Sequence, residues 1–191
     1  GGANDTGNLY KASHAQRGPM DLVYYGPNIE DYPTQNGLYP FGLMTNEEKA
    51  DYSDIIHLMS VIDATYATQE ELALALEEVI NVDVFLRYMA VVKMLANGDS
   101  YPGTCNNYYL YYNPGSEKFE WIPWDQTWGG FAEQPLFELE GFGIIECAPL
   151  YDRVFEVEAY QKKFAAYLDL LAKHWFNYGN VFEQAQKFHN L

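Results

Sequence analysis

The sequence predicts an α+β fold that is mainly helical and that contains a β-hairpin in its second half. Apolar residues recur at helical spacing between residues 51 and 97, and again between 156 and 176. An alternating aromatic run, NNYYLYY, is followed by the turn sequence NPGSEK and by FEWIPW, which is typical of a hairpin. The 191 residues are 48% hydrophobic, which is enough to bury a core and argues against disorder.

The first 45 residues are rich in Gly, Pro, Asn and Tyr, which predicts irregular connections with short strands such as residues 21–25 (DLVYY). Residues 1–8 are expected to be a flexible lead-in or a cloning remnant. Residues 9–191 are expected to form a single domain.

Four helical segments follow from the spacing of apolar residues. Residues 51–63 carry an apolar stripe, and Thr68 with Glu71 forms a capping-box pattern ahead of the next one. A central helix is predicted to begin at Asp83 and to end near residues 97–98, and residues 156–176 predict a last helix. The central helix therefore leads directly into the loop NGDSY.

Two carboxylates flank the predicted hairpin. Asp99 lies in NGDSY, and Asp125 lies in IPWDQTW at the end of the second strand. Asn106 and Asn107 open the first strand, and Asn107 is the favoured ligand because it directly precedes Tyr-Tyr-Leu-Tyr. Loop acid, amide, hairpin and second acid is the order in which kinase-like enzymes orient a hydroxyl and hold magnesium. From the residues alone, a turn-capping Asp99 and a structural Asp125 stay open as alternatives.

These segments resemble the spore coat protein H (CotH) kinase family from residue 9 to about residue 182. The family's Asn-Tyr-Tyr-Leu-Tyr hairpin, closing on Pro-Trp-Asp, corresponds to NNYYLYY and IPWD in this chain. Further family segments correspond to LYK (9–11), MTNE (44–47) and NVDVFLRY (81–88).

The resemblance implies the C-terminal lobe of an atypical protein-kinase-like fold, with the hairpin between the catalytic-loop acid and the metal-binding acid. It implies ATP and magnesium or manganese as cofactors. By position it gives Asp99 the role of orienting the acceptor hydroxyl, and Asn107 and Asp125 the role of holding the metal. The Gly-rich segment 129–148 resembles an activation segment.

The resemblance also implies an extracytoplasmic location, either secreted, on the cell surface or in the spore coat. The expected substrate is a protein with Ser or Thr hydroxyls. One family position is different, because Thr127 stands where the family has a second acid after Pro-Trp-Asp. A noncatalytic surface or adhesion module of kinase-like shape is therefore the alternative to a kinase.

Neither a Gly-rich phosphate loop nor a kinase-type strand lysine of the V-A-I-K kind precedes these motifs. The sequence does not offer Lys11 or Lys93 as a phosphate contact. The nucleotide-covering lobe is thus expected to lie outside this chain, and the chain alone is expected not to turn over ATP.

The charge balance limits the classes of partner. A formal net charge of −16 opposes nonspecific binding of nucleic acid and of anionic membranes, and it favours a basic protein partner. A Ser/Thr-rich partner is what the family resemblance implies. The sequence has no apolar run of about 18 residues, which is the length that would predict a membrane-spanning helix. The sequence leaves the oligomeric state open.

Two cysteines, Cys105 and Cys147, either form a disulfide that ties the Asp99 loop to the later segment or remain two unrelated thiols. The four histidines show no shared metal-ligand spacing, so we expect them to be surface or core-edge residues. The Tyr and Trp stripe of the hairpin is expected to pack in the core, with a sugar or peptide platform as the alternative.

Overall fold

A computed structural model describes residues 6–127 and 148–189, and the fold of these residues is α+β and mainly helical, as predicted. The helices are α1 (His14–Arg17), α2 (Ser53–Asp63), α3 (Gln69–Val79), α4 (Val82–Leu95), α5 (Tyr101–Thr104), α6 (Pro149–Glu156), α7 (Glu158–His174) and α8 (Tyr178–His189). A single 3-10 turn spans Ile29–Asp31. The predicted helices near 51–63, 69–79, 83–97 and 156–176 are confirmed as α2, α3, α4 and α7.

Four strands form one antiparallel sheet in the order β2-β1-β3-β4. They are β1 (Leu9–Ala12), β2 (Phe41–Leu43), β3 (Tyr108–Asn113) and β4 (Lys118–Pro123). The predicted hairpin is confirmed as β3 and β4, and β1 pairs with its open edge through Tyr10 opposite Leu110. Leu110 in turn lies opposite Trp121, so one apolar row crosses the sheet on its buried face.

Side-chain caps fix the starts of two helices that lead to the site. Thr68 accepts a hydrogen bond from the backbone N of Glu71 at the start of α3, as the capping-box pattern predicts. Asn81 accepts one from the backbone N of Val84 at the start of α4. Helix α4 ends at Ala96, whose left-handed φ of 48° turns the chain out of the helix.

Aromatic packing joins the hairpin to α4 and α5. Trp121 stacks on Tyr108 with a centroid distance of 4.2 Å, and Phe85 meets the Trp121 ring edge-on at 4.9 Å. Tyr101 lies edge-on to Trp121 at 5.2 Å, and all four rings are buried. Each such pair contributes about 0.5–1.5 kcal/mol beyond its buried area. The hairpin that Asn107 and Asp125 flank is thereby fixed against the helix that leads to Asp99.

The prediction of a strand at residues 21–25 is wrong. Leu22 has a left-handed φ of 65°, which interrupts an extended strand, and the backbone of this segment bonds to the core instead. Met20 N donates to the carbonyl of Cys105 at 3.1 Å, and the Tyr101 hydroxyl donates to the carbonyl of Asp21 at 3.2 Å. The start of this segment therefore packs against α5, which follows the Asp99 loop.

Three predicted features lie wholly or mainly outside the described residues. Residues 128–147 contain nearly all of the activation-segment-like stretch and Cys147, and residues 1–5 contain most of the expected lead-in. Within the described part of the lead-in, the Asn8 side chain donates to Asp54 at 3.0 Å.

Helices α4 and α7 are joined by a charged cluster around Asp83. Its carboxylate pairs with Lys163 at 2.5 Å and with Arg87 at 2.8 Å, and it accepts a hydrogen bond from the Tyr167 hydroxyl. Burial raises the pKa of Asp83, but the hydrogen bonds and charges of these partners lower it more, so the pKa lies below its ordinary value.

We predict that Asp83→Asn lowers the free energy of unfolding at pH 7 by about 1 kcal/mol, because the partly exposed carboxylate loses its ion pairs. A lowered folded-state pKa stabilises the fold above the unfolded value of about 3.9, and this contribution is lost as the pH falls through the folded value. Urea unfolding between pH 7 and pH 3 should therefore show the two proteins converging below about pH 4.

The exposed acid Asp63 is in no ion pair of the described residues and provides the control. Asp63→Asn should change stability by less than about 0.5 kcal/mol. A pH-independent loss in Asp83→Asn would show that the charge of Asp83 is not what stabilises the helix pair.

Candidate functional site

The loop between α4 and α5 is closed by a near contact of two glycines. A Cβ atom at Gly103 would lie 1.9 Å from the carbonyl oxygen of Gly98, so only glycine fits at position 103. Ser100 is buried, and its hydroxyl donates to the carbonyl of Asn97 at 2.9 Å. The loop is thus a tight, internally bonded turn that contains the half-buried Asp99.

Both carboxylate oxygens of Asp99 accept hydrogen bonds from protein donors. Thr104 Oγ1 donates to Oδ1 at 2.7 Å, and Asn107 Nδ2 donates to Oδ2 at 2.9 Å. Asn107 Nδ2 also lies 3.0 Å from the backbone oxygen of Asp99. The backbone N of Asp99 donates to Asn97 Oδ1 at 3.0 Å. The side chain of Asp99 is therefore held in one orientation.

Asn107 links the Asp99 loop to the exit of β4. Its side chain is buried, and its left-handed φ of 60° is one that Asn tolerates better than most residues. Its backbone oxygen accepts hydrogen bonds from Trp124 N and from Gln126 Nε2, each at 3.2 Å. These two residues flank Asp125 in the chain.

Hydrogen bonds close into a ring of four residues, which we call the polar ring: Asn97, Asp99, Asn107 and Gln126. Two of its links join side chains, and the other two use the backbone N of Asp99 and the backbone O of Asn107. The closing bond runs from Asn97 Nδ2 to Gln126 Oε1 at 2.9 Å. Asn97 and Asn107 are both buried, so the ring replaces the hydrogen bonds that these amides would otherwise make with water.

Asp125 is the exposed member of the predicted site. Its backbone has a left-handed φ of 44°, and Thr127 Oγ1 donates to its Oδ1 at 2.8 Å. Among the hydrogen bonds of residues 6–127 and 148–189, none joins the Asp125 side chain to Asp99 or Asn107. The structure therefore brings Asp99 and Asn107 into direct contact and connects Asp125 to them through the backbone on either side of it.

Two buried tyrosines near the Asp99 loop, Tyr88 and Tyr108, have neutral phenol groups. Burial raises the pKa of Tyr88 and of Tyr108 above the ordinary tyrosine value, so both stay protonated at neutral pH. Tyr108 donates its hydroxyl hydrogen to the carbonyl of Met20, and Tyr88 accepts a hydrogen bond from Tyr101 N at 3.4 Å.

The oxygen donors of the site fit magnesium or manganese better than zinc. Within the described ranges, no three or more His, Cys, Asp or Glu side chains form a group that can hold a metal ion. Asn107 Oδ1 and the Asp125 carboxylate are hard oxygen ligands, and Mg²⁺ usually takes one or two such ligands and completes its shell with water or phosphate. A closed zinc site, in contrast, needs four Cys or His-type ligands.

The structure separates the two asparagines that the sequence leaves in competition. Asn106 Oδ1 accepts a hydrogen bond from the backbone N of His14 and so lies at the start of α1, whereas Asn107 is bonded to Asp99. Cys105 is buried at the end of α5, with a left-handed φ of 53°. Since Cys147 lies outside the described residues, the Cys105–Cys147 disulfide stays a prediction.

Sequence reasoning does not single out Asn97, Thr104 or Gln126, although all three position the site. Each is a short or medium polar residue within five positions of one of the two acids. That proximity is the signal in the sequence, but polar residues near an Asp are too common in loops for it to identify them.

Comparison with known proteins adds one positive finding. A family model described as CotH kinase protein matches residues 2–191, which include both acids, the hairpin and the polar ring. No curated protein gives a significant match.

We predict that Asn107→Asp destabilises the fold by about 2–3 kcal/mol, because it removes the amide donor to Asp99 and buries a second negative charge beside it. Urea unfolding at pH 7 measures the change. Asn113→Asp, at the other end of β3, is the matched control, since Asn113 uses Oδ1 to accept from Gly115 N and Asp keeps that acceptor. Equal stability of the two variants would show that the amide of Asn107 does not hold the site together.

Proposed function

Because the chain belongs to the CotH kinase family, we propose that it forms the hydroxyl-orienting and metal-holding part of an ATP-dependent protein kinase site. The reaction is phosphoryl transfer from ATP to a Ser or Thr hydroxyl of a protein. The observation that carries this proposal is the polar ring, which fixes Asp99 against the Asn107 side chain and attaches the segment around Asp125 to the backbone oxygen of the same residue.

Asp99 is the group that receives the acceptor hydroxyl. Its carboxylate is already oriented by Thr104 and Asn107, so it loses little conformational freedom when a hydroxyl hydrogen bonds to a remaining lone pair. In phosphoryl transfer such a carboxylate positions the nucleophile and accepts its proton.

Asn107 and Asp125 are the residues that would hold a divalent cation. The Nδ2 atom of Asn107 is bonded to Asp99, which leaves Oδ1 as the amide atom for a cation. Magnesium or manganese bound there supplies charge neutralisation for the transferred phosphoryl group. Asp125 adds a carboxylate from the opposite side of the hairpin, and its position is set by the bonds that Trp124 and Gln126 make to Asn107.

The charge of the chain favours a basic protein substrate and disfavours nucleic acid, while the kinase reaction calls for Ser or Thr hydroxyls in that substrate. With a net charge of −16, long-range attraction raises the encounter rate of basic proteins. The family belongs to spore coat biology, which supports an extracytoplasmic location, either secreted, at the cell surface or in the coat. Among the described helices, none is both long and apolar enough to cross a membrane.

A noncatalytic surface or adhesion module is the second candidate function, and one observation favours it. Thr127 occupies the position where the family has a second acid, and its hydroxyl donates to Asp125 Oδ1. One oxygen of Asp125 is therefore bound to a neutral partner. In this alternative the polar ring stabilises a binding surface, and nucleotide does not bind.

The first test of the kinase proposal separates binding from chemistry in the full-length protein. Asp125→Asn should weaken magnesium-dependent ATP binding and turnover together, because it removes a charge that holds the metal. Asp99→Asn should leave ATP binding nearly intact and lower turnover by about 10²- to 10⁴-fold. Calorimetric titration with Mg·ATP and a radiolabel transfer assay measure the two effects, and Asp63→Asn is the control.

If turnover survives both substitutions at close to the parental rate, the paired-carboxylate mechanism is wrong. If the parental protein binds no ATP in magnesium or manganese, the surface-module function takes its place.

A second test concerns the 191-residue chain by itself. We propose that this chain folds but transfers no phosphate at a measurable rate, because it contains no Gly-x-Gly-x-x-Gly loop to cover the phosphates. The transfer assay should show turnover in the full-length protein and none in the chain, with circular dichroism as the check on folding. Equal turnover in the two proteins would contradict the proposal.

A further inference from the structure

Lys11 lies on the outer face of the sheet, beside β3, which begins one residue after Asn107. In β1 it alternates with the buried residues Tyr10 and Ala12, so its side chain is on the opposite face. The register pairs Lys11 with Tyr109, two residues after Asn107. The sheet therefore places a lysine next to the candidate site, although the two are far apart in sequence.

Two aromatic rings hold the Lys11 ammonium. Nζ lies 5.6 Å from the centroid of the Tyr109 ring and 5.7 Å from that of Trp124. The two rings contact each other edge-on at 5.5 Å. A cation within about 6 Å of a ring centroid is attracted to the ring face. The ammonium is therefore held on the ring of Trp124, the residue that immediately precedes the proposed metal ligand Asp125.

The charge of Lys11 is not neutralised by a carboxylate in the described part of the protein. The ion pairs found there belong to six other cations, and none joins Lys11 to Asp125 or to any other acid within 4.0 Å. The chain has 27 acidic and only 11 Lys and Arg residues, so an acid partner for a lysine is easy to find. A lysine that instead lies on aromatic rings keeps its positive charge available to an anion.

We propose that Lys11 contacts a phosphate of the bound nucleotide, and that Tyr109 and Trp124 position it. This inference rests on the proposed kinase function and adds a phosphate-binding residue to the same site. In protein kinases a different, phosphate-binding strand lysine is held by a glutamate from a helix. Here the aromatic pair takes the place of that carboxylate.

Aromatic positioning suits a site in a strongly acidic protein. A carboxylate partner competes with phosphate for the three N–H donors of the ammonium, whereas a ring face attracts the charge and leaves the donors free. Half of the Trp124 side chain is exposed, at 51%, so the ammonium lies at a surface that a ligand can reach.

The test is Lys11→Met in the full-length protein, which removes the charge and keeps an unbranched apolar side chain. Calorimetric affinities are measured for Mg·ATP, for magnesium tripolyphosphate and for adenosine. We expect affinity for ATP and for tripolyphosphate to fall at least about tenfold, as for a lost charge-assisted hydrogen bond, and affinity for adenosine to stay unchanged. Lys11→Arg should restore most of the loss.

Lys118→Met is the matched control, because Lys118 is also a strand lysine of this sheet but lies at the hairpin turn, opposite Asn113. It should leave all three affinities unchanged. Trp124→Leu tests the positioning role and should weaken ATP and tripolyphosphate together by about two- to fivefold, the value of an exposed cation–π contact.

Each outcome decides the proposal. If the parental protein binds ATP and Lys11→Met binds it equally well, Lys11 is not a phosphate contact and the kinase proposal stands. If adenosine is weakened as much as ATP, the residue acts through the fold and the inference is wrong. If Trp124→Leu weakens adenosine, the ring binds the base and does not position Lys11. If the parental protein binds no nucleotide, the kinase function and the phosphate contact both fall.

Discussion

The polar ring of Asn97, Asp99, Asn107 and Gln126 is the constraint on which the site depends. It joins the end of α4, the α5 loop, the start of β3 and the exit of β4, each through at least one side-chain amide. An unsatisfied buried polar group costs about 1–3 kcal/mol, so breaking one bond leaves its partner unsatisfied and weakens the whole ring. The ring also stabilises backbone that is otherwise unfavourable, since non-glycine residues with left-handed φ occur here at Ala96, Cys105, Asn107 and Asp125.

The ring is positioned by the aromatic core beside it. Tyr108 follows Asn107 directly and stacks on Trp121, which meets Phe85 of α4. Because side chains alternate across a strand, a slip of one residue in the register of β3 would place Asn107 in the apolar core and Tyr108 at the loop. Burial of these rings fixes the register, and the register fixes which amide faces Asp99. The packing that stabilises the core therefore also sets the geometry of the site.

Sequence reasoning finds the parts of this structure that depend on local pattern. Helical spacing gives α2, α3 and α4, and alternation gives the hairpin, so the two acids are correctly placed on either side of β3 and β4. The polar ring is not predictable in this way, because its closing bond joins residues 29 positions apart. Residues 21–25 have the composition of a strand, yet the backbone carbonyl of Asp21 accepts a hydrogen bond from the Tyr101 hydroxyl, and a single chain carries no signal for that choice. Lys11 is missed for the same reason, since its neighbours are set by the pairing of β1 with β3.

The acidic composition of the chain repels an anionic nucleotide, whereas the proposed site has to bind one. The two effects act over different distances. At physiological ionic strength the field of an exposed charge is screened over about 8 Å. A nucleotide phosphate near Trp124 would therefore experience mainly the local charges, which are Lys11, the carboxylate of Asp125 and any cation held by Asn107 and Asp125. A basic protein that approaches from further away experiences the many surface acids first. We propose that a lysine held on aromatic rings near Trp124 would let a protein of charge −16 bind an anionic nucleotide while its surface acids attract a basic substrate.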